Sequence, residues 1–144
     1  MELTVAHKYM IRLHDIHNYE LETADATTIL FGDLTFFEDG YKITYKESEG
    51  DLAGCTTVVT CKGDREVSIC RTGPYCTDLY MEVGKRHNCQ YETEFGSMLM
   101  GVFAESVASD MTETGGTLDF TYNIDIGGDF VSRNTLHITV KETF

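Results

Sequence analysis

The chain has no tryptophan, a single proline (Pro74) and only 11 lysines and arginines among its 144 residues. Against these stand 24 aspartates and glutamates, which makes the formal net charge −13. A surface of that sign repels phosphate backbones and anionic headgroups, so neither nucleic acid nor membrane is expected as a partner. The plainest use of the charge is solubility. No apolar run approaches the length of a membrane-crossing helix. The opening MELTVAHKYMIRLHD carries charges throughout and offers no apolar h-region. No secretory signal is therefore expected, and a cytoplasmic setting is.

Other absences bear on chemistry. No CxxC pair occurs, and the five cysteines (Cys55, Cys61, Cys70, Cys76 and Cys89) are odd in number. Without a secretory signal these are expected as thiols. Cys55 and Cys61 would share one strand face about 20 Å apart, too far to hold one ion. That face reads as the outer one, where Cys70 would lie diagonal to Cys55. Cys89 falls on the inner face with Met81, where a thiol is ordinary core. The run HDIH sets His14 and His17 three apart, which on a strand points them to opposite faces. No metal and no cofactor is expected. There is no GxSxG nucleophile elbow, and the glycine pairs precede no helical pattern that could cradle phosphate.

What the chain has is alternation of period two, with turn signals about every ten residues. In TLDFTYNIDI (residues 117–126), Leu118, Phe120, Tyr122, Ile124 and Ile126 share one face and polar residues the other. Residues 133–141 repeat the pattern, with Leu136, Ile138 and Val140 on the buried side. The stretch FGSMLMGVFAESVA (95–108) is apolar on both faces and predicts a buried strand with a bulge, its parity ambiguous around Gly101. Hairpin turns are expected at Asp39-Gly40, Gly63-Asp64 and Gly115-Gly116, with slightly longer ones at Gly84–Arg86 and Gly127–Asp129. About ten strands joined by short connections would expose two edges as an open sheet. Closure into one all-β domain over 1–144, an antiparallel up-and-down barrel of about eight to ten strands, removes them.

Hairpin arithmetic then places side chains. A two-residue loop at Asp39-Gly40 sets Leu34 against Tyr45 and Gly32 against Glu47. A loop at Gly63-Asp64 sets Val58 against Ile69 and Thr56 against Arg71. Glu47 and Arg71 would flank Thr56 from strands about 10 Å apart, a gap that two long side chains can bridge. Continuing round, Arg71 falls near Thr77, and Thr77 near Thr93. One end of the interior is thus expected to collect Glu47, Thr56, Arg71, Thr77 and Thr93 above an apolar layer that includes Ile43, Tyr45, Ile69, Leu79 and Tyr91. Such a group is either a structural ion pair that fixes register or an anchor for a ligand carboxylate or hydroxyl. Glu47 is the one candidate general base, and an arginine beside it speaks against that role.

The succession GDLTFFEDGYKITYKESE, VSICRTG, YETEFGSM, GGTLDFTYNIDI and NTLHITVKE resembles the YwiB-like family of small bacterial proteins, from about Gly32 to Glu142. The matching positions are Gly32, Tyr45, Glu47, Arg71, Gly73, Tyr91, Thr93, Gly96 and Tyr122. Glu94 stands where that family often has proline. The resemblance implies a calycin-type, lipocalin-like barrel with no established biochemical function. Three readings follow. The first is a cytoplasmic barrel binding a small, partly apolar ligand, with Glu47, Arg71, Thr56 and Thr93 as polar contacts and Tyr45, Tyr91 and Tyr122 as walls. The second is a filled barrel acting through its surface, with a homodimer contact around Met98–Ala104. An enzyme is the third, with no catalytic residue assigned.

Overall fold

The computed structural model describes residues 9–47, 53–74, 76–93 and 96–143. Ten strands account for nearly all of them: β1 (Tyr9–Tyr19), β2 (Thr23–Phe37), β3 (Gly40–Lys46), β4 (Thr56–Lys62), β5 (Glu66–Thr72), β6 (Thr77–Glu82), β7 (Arg86–Thr93), β8 (Gly96–Thr112), β9 (Gly115–Ile126) and β10 (Asp129–Glu142). Each pairs antiparallel with its sequence neighbour, and β1 pairs with β10, so the sheet closes into a barrel. Closure satisfies both edges that a meander of alternating strands would otherwise leave open.

The inner face follows the alternation. Ile11, Ile43, Val59, Val67, Met81, Val102, Leu118, Phe120 and Ile138 are all at most 1% exposed and belong to one continuous core. Fully burying a side chain of this kind contributes about 1.5–3 kcal/mol. Cys89 is buried beside this core with Met81, as the alternation implies.

The hairpins differ from expectation in an informative way. The β2–β3 turn is Glu38-Asp39, not Asp39-Gly40, so Gly32 pairs with Tyr45 and Leu34 with Ile43. The β8–β9 turn is Glu113-Thr114, and Gly115 already pairs with Thr112. In both cases the glycine opens the returning strand. A Cβ on Gly40 would fall on the Cys61 carbonyl oxygen, and one on Gly115 on the Val140 carbonyl oxygen. These glycines serve the close approach of a neighbouring strand rather than the turn. The β9–β10 turn is shorter than the expected Gly127–Asp129: Gly127-Gly128 forms a two-residue turn, with both residues at positive φ (62° and 92°).

The β4–β5 loop has three residues, Gly63, Asp64 and Arg65, so Thr57 pairs with Arg71 and Val59 with Ile69. One extra loop residue inverts the face of the whole strand. Cys55, Thr57, Val59 and Cys61 point inward, each 0% exposed, while Thr56 and Val58 take the outer parity. Cys55 is therefore inside, with no outer-face relation to Cys70. The bulge expected within residues 95–108 lies between Ala104 and Ser106. Gly101 is buried because Arg86 lies across it and forks onto Asp125 at 2.9 and 2.6 Å, tying β7 to β9 over β8.

Candidate functional site

Six inward faces turn from apolar to polar at the same end of the barrel. On β1, Ile11 and Leu13 give way to Asp15 and His17; on β10, Ile138 and Leu136 give way to Asn134 and Ser132. On β3 the face Tyr41, Ile43, Tyr45 runs into Glu47, which directly follows the strand. On β4, β5 and β6 the corresponding residues are Thr57, Arg71 and Thr77. Antiparallel order brings these positions to one mouth.

Two groups of polar contacts form there. In the first, Arg71 Nε lies 3.8 Å from Glu47 Oε1, with side chains 18% and 15% exposed. Thr57 Oγ1 donates to the same Glu47 oxygen at 3.0 Å. Thr57 is held by its pairing with Tyr45 on one side and Arg71 on the other, and Arg71 pairs in turn with Thr77. Arg71 Nε is buried and has no hydrogen-bond partner among the described residues. In the second, His17 Nδ1 donates to the Asn134 amide oxygen at 2.5 Å, and Asn134 Nδ2 donates to Ser132 Oγ at 3.1 Å. Asp15 Oδ1 sits 3.8 Å from His17 Nε2.

The two groups share one electrostatic environment. Burial raises the Asp15 carboxyl above its usual range, against the lowering pull of His17, Arg71 and His14. Burial likewise pushes the Tyr122 hydroxyl up to about 12, opposed by Arg71 and helped by Asp15. The Tyr45 hydroxyl is raised by burial and by Glu47, with Arg71 opposing. Among the described residues this mouth brings together a guanidinium, two carboxylates, an imidazole and two tyrosines, groups that can bind and orient a polar ligand.

Of the residues expected here, Glu47 and Arg71 meet, and Tyr45 and Tyr122 are buried in the same electrostatic environment. Tyr91 pairs with Thr77 and packs half-buried against the core. Thr56 does not take part: it sits on the outer parity, and Thr57 fills its place. Gly32 faces Tyr45 rather than Glu47. Thr77 pairs with Tyr91 rather than lying beside Thr93, which pairs through its backbone with Gly96; the Thr93 side chain and Glu94 lie outside the described residues. Sequence reasoning missed Asp15, His17, Asn134 and Ser132. The signal was available: extending the parity of Leu136 and Ile138 by two and four residues reaches Asn134 and Ser132, and Ile11 and Leu13 lead to Asp15 and His17.

A groove of about 250 Å³ lies on the outer surface beside this end, lined by Cys70, Thr72, Cys76, Asp78, Gln90 and Glu92 together with Arg71 and Thr77 of the mouth. It runs over β5, β6 and β7 and crosses the β6–β7 seam. Thr77 pairs with Tyr91 there, and at Tyr80 the seam is bridged by the Cys89 thiol, which accepts from the Tyr80 N–H at 3.3 Å.

These features define a closed ten-stranded barrel with a continuous apolar core and a polar mouth at one end. The chain belongs to the family described as Domain of unknown function (DUF1934), whose model matches residues 11–138. It is similar in fold to the crystal structure of the ywiB protein from Bacillus subtilis, with a TM-score of 0.83 over 94% of this chain and 92% of that one, at 18% identity. No curated protein matches.

Proposed function

We propose that the protein is a cytoplasmic, lipocalin-like barrel that binds a small, partly apolar molecule at its polar mouth. One observation carries the reading: a buried guanidinium nitrogen, Arg71 Nε, without a hydrogen-bond partner among the described residues. An unsatisfied buried donor costs on the order of 1–3 kcal/mol, which a ligand acceptor would offset. The ligand's carboxylate or hydroxyl sits on Arg71, with Glu47 and Thr57 fixing the guanidinium. Tyr45, Tyr91 and Tyr122 form the walls, and the β6–β7 groove is the approach. Because the core beneath is continuous, the ligand is small and held at the mouth rather than swallowed. Native mass spectrometry of untagged protein from its host, followed by extraction, tests this. A bound small molecule that Arg71→Met releases supports it; protein that emerges clean, and equally clean in both forms, ends it.

A second reading rests on exposed apolar residues. Ile29 and Leu99 are each 62% exposed and Met98 41%. A barrel acting as a homodimer through the start of β8 would cover Met98 and Leu99. Light scattering decides it: a strict monomer at high concentration removes this reading.

A further inference from the structure

The outer surface over the strands that close the barrel carries a row of four side chains, one from each of β2, β1, β10 and β9. His14 and His137 are direct cross-strand partners on β1 and β10, with ring centroids 5.6 Å apart and planes tilted by 36°. His14 Nε2 donates to Asp25 Oδ1 at 2.7 Å, and His137 Nδ1 donates to Asp119 Oδ1 at 2.6 Å. All four are open to solvent, with side-chain exposures of 27% and 44% for the histidines.

The carboxylates decide the chemistry of the rings. A carboxylate only accepts, so each bound nitrogen carries the proton. In the neutral imidazole the lone pair is then on the other nitrogen: Nδ1 of His14 and Nε2 of His137. An imidazole whose far N–H is held by a carboxylate is the usual arrangement of a metal-ligating histidine, oriented and made more basic by its partner. Metal–nitrogen distances of about 2.0–2.1 Å place two ligating rings with centroids roughly 5–6 Å apart, and the observed spacing falls there.

We propose that His14 and His137 form a two-imidazole chelate for one divalent transition-metal ion of the zinc, copper or nickel type, with Asp25 and Asp119 as positioning residues. Imidazole nitrogens select these ions over magnesium and calcium, which want oxygen. Among the described residues no group of three histidine, cysteine or carboxylate donors converges on a point, so water completes the coordination. As the spacing in HDIH implies, His17 takes the opposite face and bonds Asn134, and the cross-strand neighbour of His14 is His137, far away in sequence. The consequence is structural. A bound ion cross-links the first strand to the last at the seam where the barrel closes, so binding to the folded state alone raises stability.

The test uses untagged, chelator-stripped protein, titrated with Zn²⁺ and with Ni²⁺ by calorimetry and followed by thermal unfolding. The expected result is one ion per chain and a rise in Tm of about 3 °C or more at saturation. His14→Gln and His137→Gln each weaken binding at least 10-fold and abolish the rise. Asp119→Asn weakens it by about 10- to 100-fold while the apo protein keeps its Tm. His17→Gln leaves the affinity unchanged. Three outcomes overturn the proposal: no saturable binding, an equal response to Mg²⁺ (which would be the general pull of the acidic surface), or binding lost in Cys70→Ser/Cys76→Ser and kept in both histidine variants.

Discussion

Arg71 Nε and Glu47 Oε1 lie 3.8 Å apart across the strand that carries Thr57, close enough to attract and too far to hydrogen-bond. The contact therefore brings Coulomb energy without relieving the buried donor. Arg71→Met alone strands a largely buried carboxylate, and Glu47→Gln alone strands a guanidinium. Each is expected to cost about 2 kcal/mol, below the full buried-pair range because both side chains keep some solvent. The double variant Glu47→Leu/Arg71→Met recovers most of that loss. Urea midpoints of the four proteins check it, and additive losses in the double variant would contradict the pairing.

Thr57 and Thr56 separate the observed face of β4 from its mirror. Thr57 is 0% exposed and donates to Glu47. Thr57→Val keeps the volume and removes the donor, for an expected loss of about 1–2 kcal/mol. Thr56→Val, on the outer parity, should stay within about 0.5 kcal/mol of the parent. The opposite order in denaturation would place β4 in the other register.

That pair also marks how far the sequence could be read. Strand number, order, closure and most inward residues follow from alternation, because period two is a property of the strand itself. Loop length is not. Gly63-Asp64 fits a two-residue turn as well as the first two members of a three-residue one, and the difference inverts β4. Glu47 and Arg71 still meet because β3 and β5 kept their parity; only the residue between them changed. Asp15 and His17 were missed for another reason. His17 bonds Asn134 on β10, more than a hundred residues away, Asp15 pairs with Leu136 only through the β1–β10 ladder, and no local turn relates the two strands. What joins them is closure, which local hairpin arithmetic does not reach.

Asp15 makes the stability of the barrel depend on pH. Its carboxyl is raised by burial, so between its ordinary range and its folded-state range the native protein holds a proton that the unfolded chain has lost. In that window stability falls as pH rises. Above it, the half-buried charge is a standing cost. Asp15→Asn should therefore raise Tm at neutral pH and flatten the slope just above the ordinary carboxylate range. Thermal scans of both proteins across mildly acidic to neutral pH test this; a lower Tm for the variant at neutral pH would mean that the attraction of Arg71 and His17 outweighs burial.

Gly32 has no room for a methyl group. A Cβ there would fall on the Thr44 carbonyl oxygen and lie 2.7 Å from Ile11 Cδ1. The backbone oxygen cannot retreat without breaking the β2–β3 ladder, so Gly32→Ala is expected to cost about 2–4 kcal/mol. Gly63 is the contrast: its φ is +62° and nothing lies within 4 Å of an added Cβ. Gly63→Ala meets only the left-handed backbone penalty, about 1 kcal/mol. Chemical denaturation should rank them in that order.

Thiol reactivity reads out the inversion of β4 directly. Cys55, Cys61 and Cys89 are buried, Cys70 is half-buried and Cys76 is exposed. Only a thiolate reacts, so access and acidity both matter. Burial pushes the Cys61 and Cys89 thiols up, which withholds thiolate from the two as well as solvent. Cys70 is also raised by burial and by Asp78, which should slow it relative to Cys76. A disulfide reagent added to native protein should therefore modify Cys76 first and Cys70 second, while the other three react only through unfolding and share one denaturant-dependent rate. If β4 had the opposite parity, Cys55 and Cys61 would join the fast class. Counting thiols before and after denaturant distinguishes two fast groups from four, and Cys61→Ser should leave the fast count unchanged.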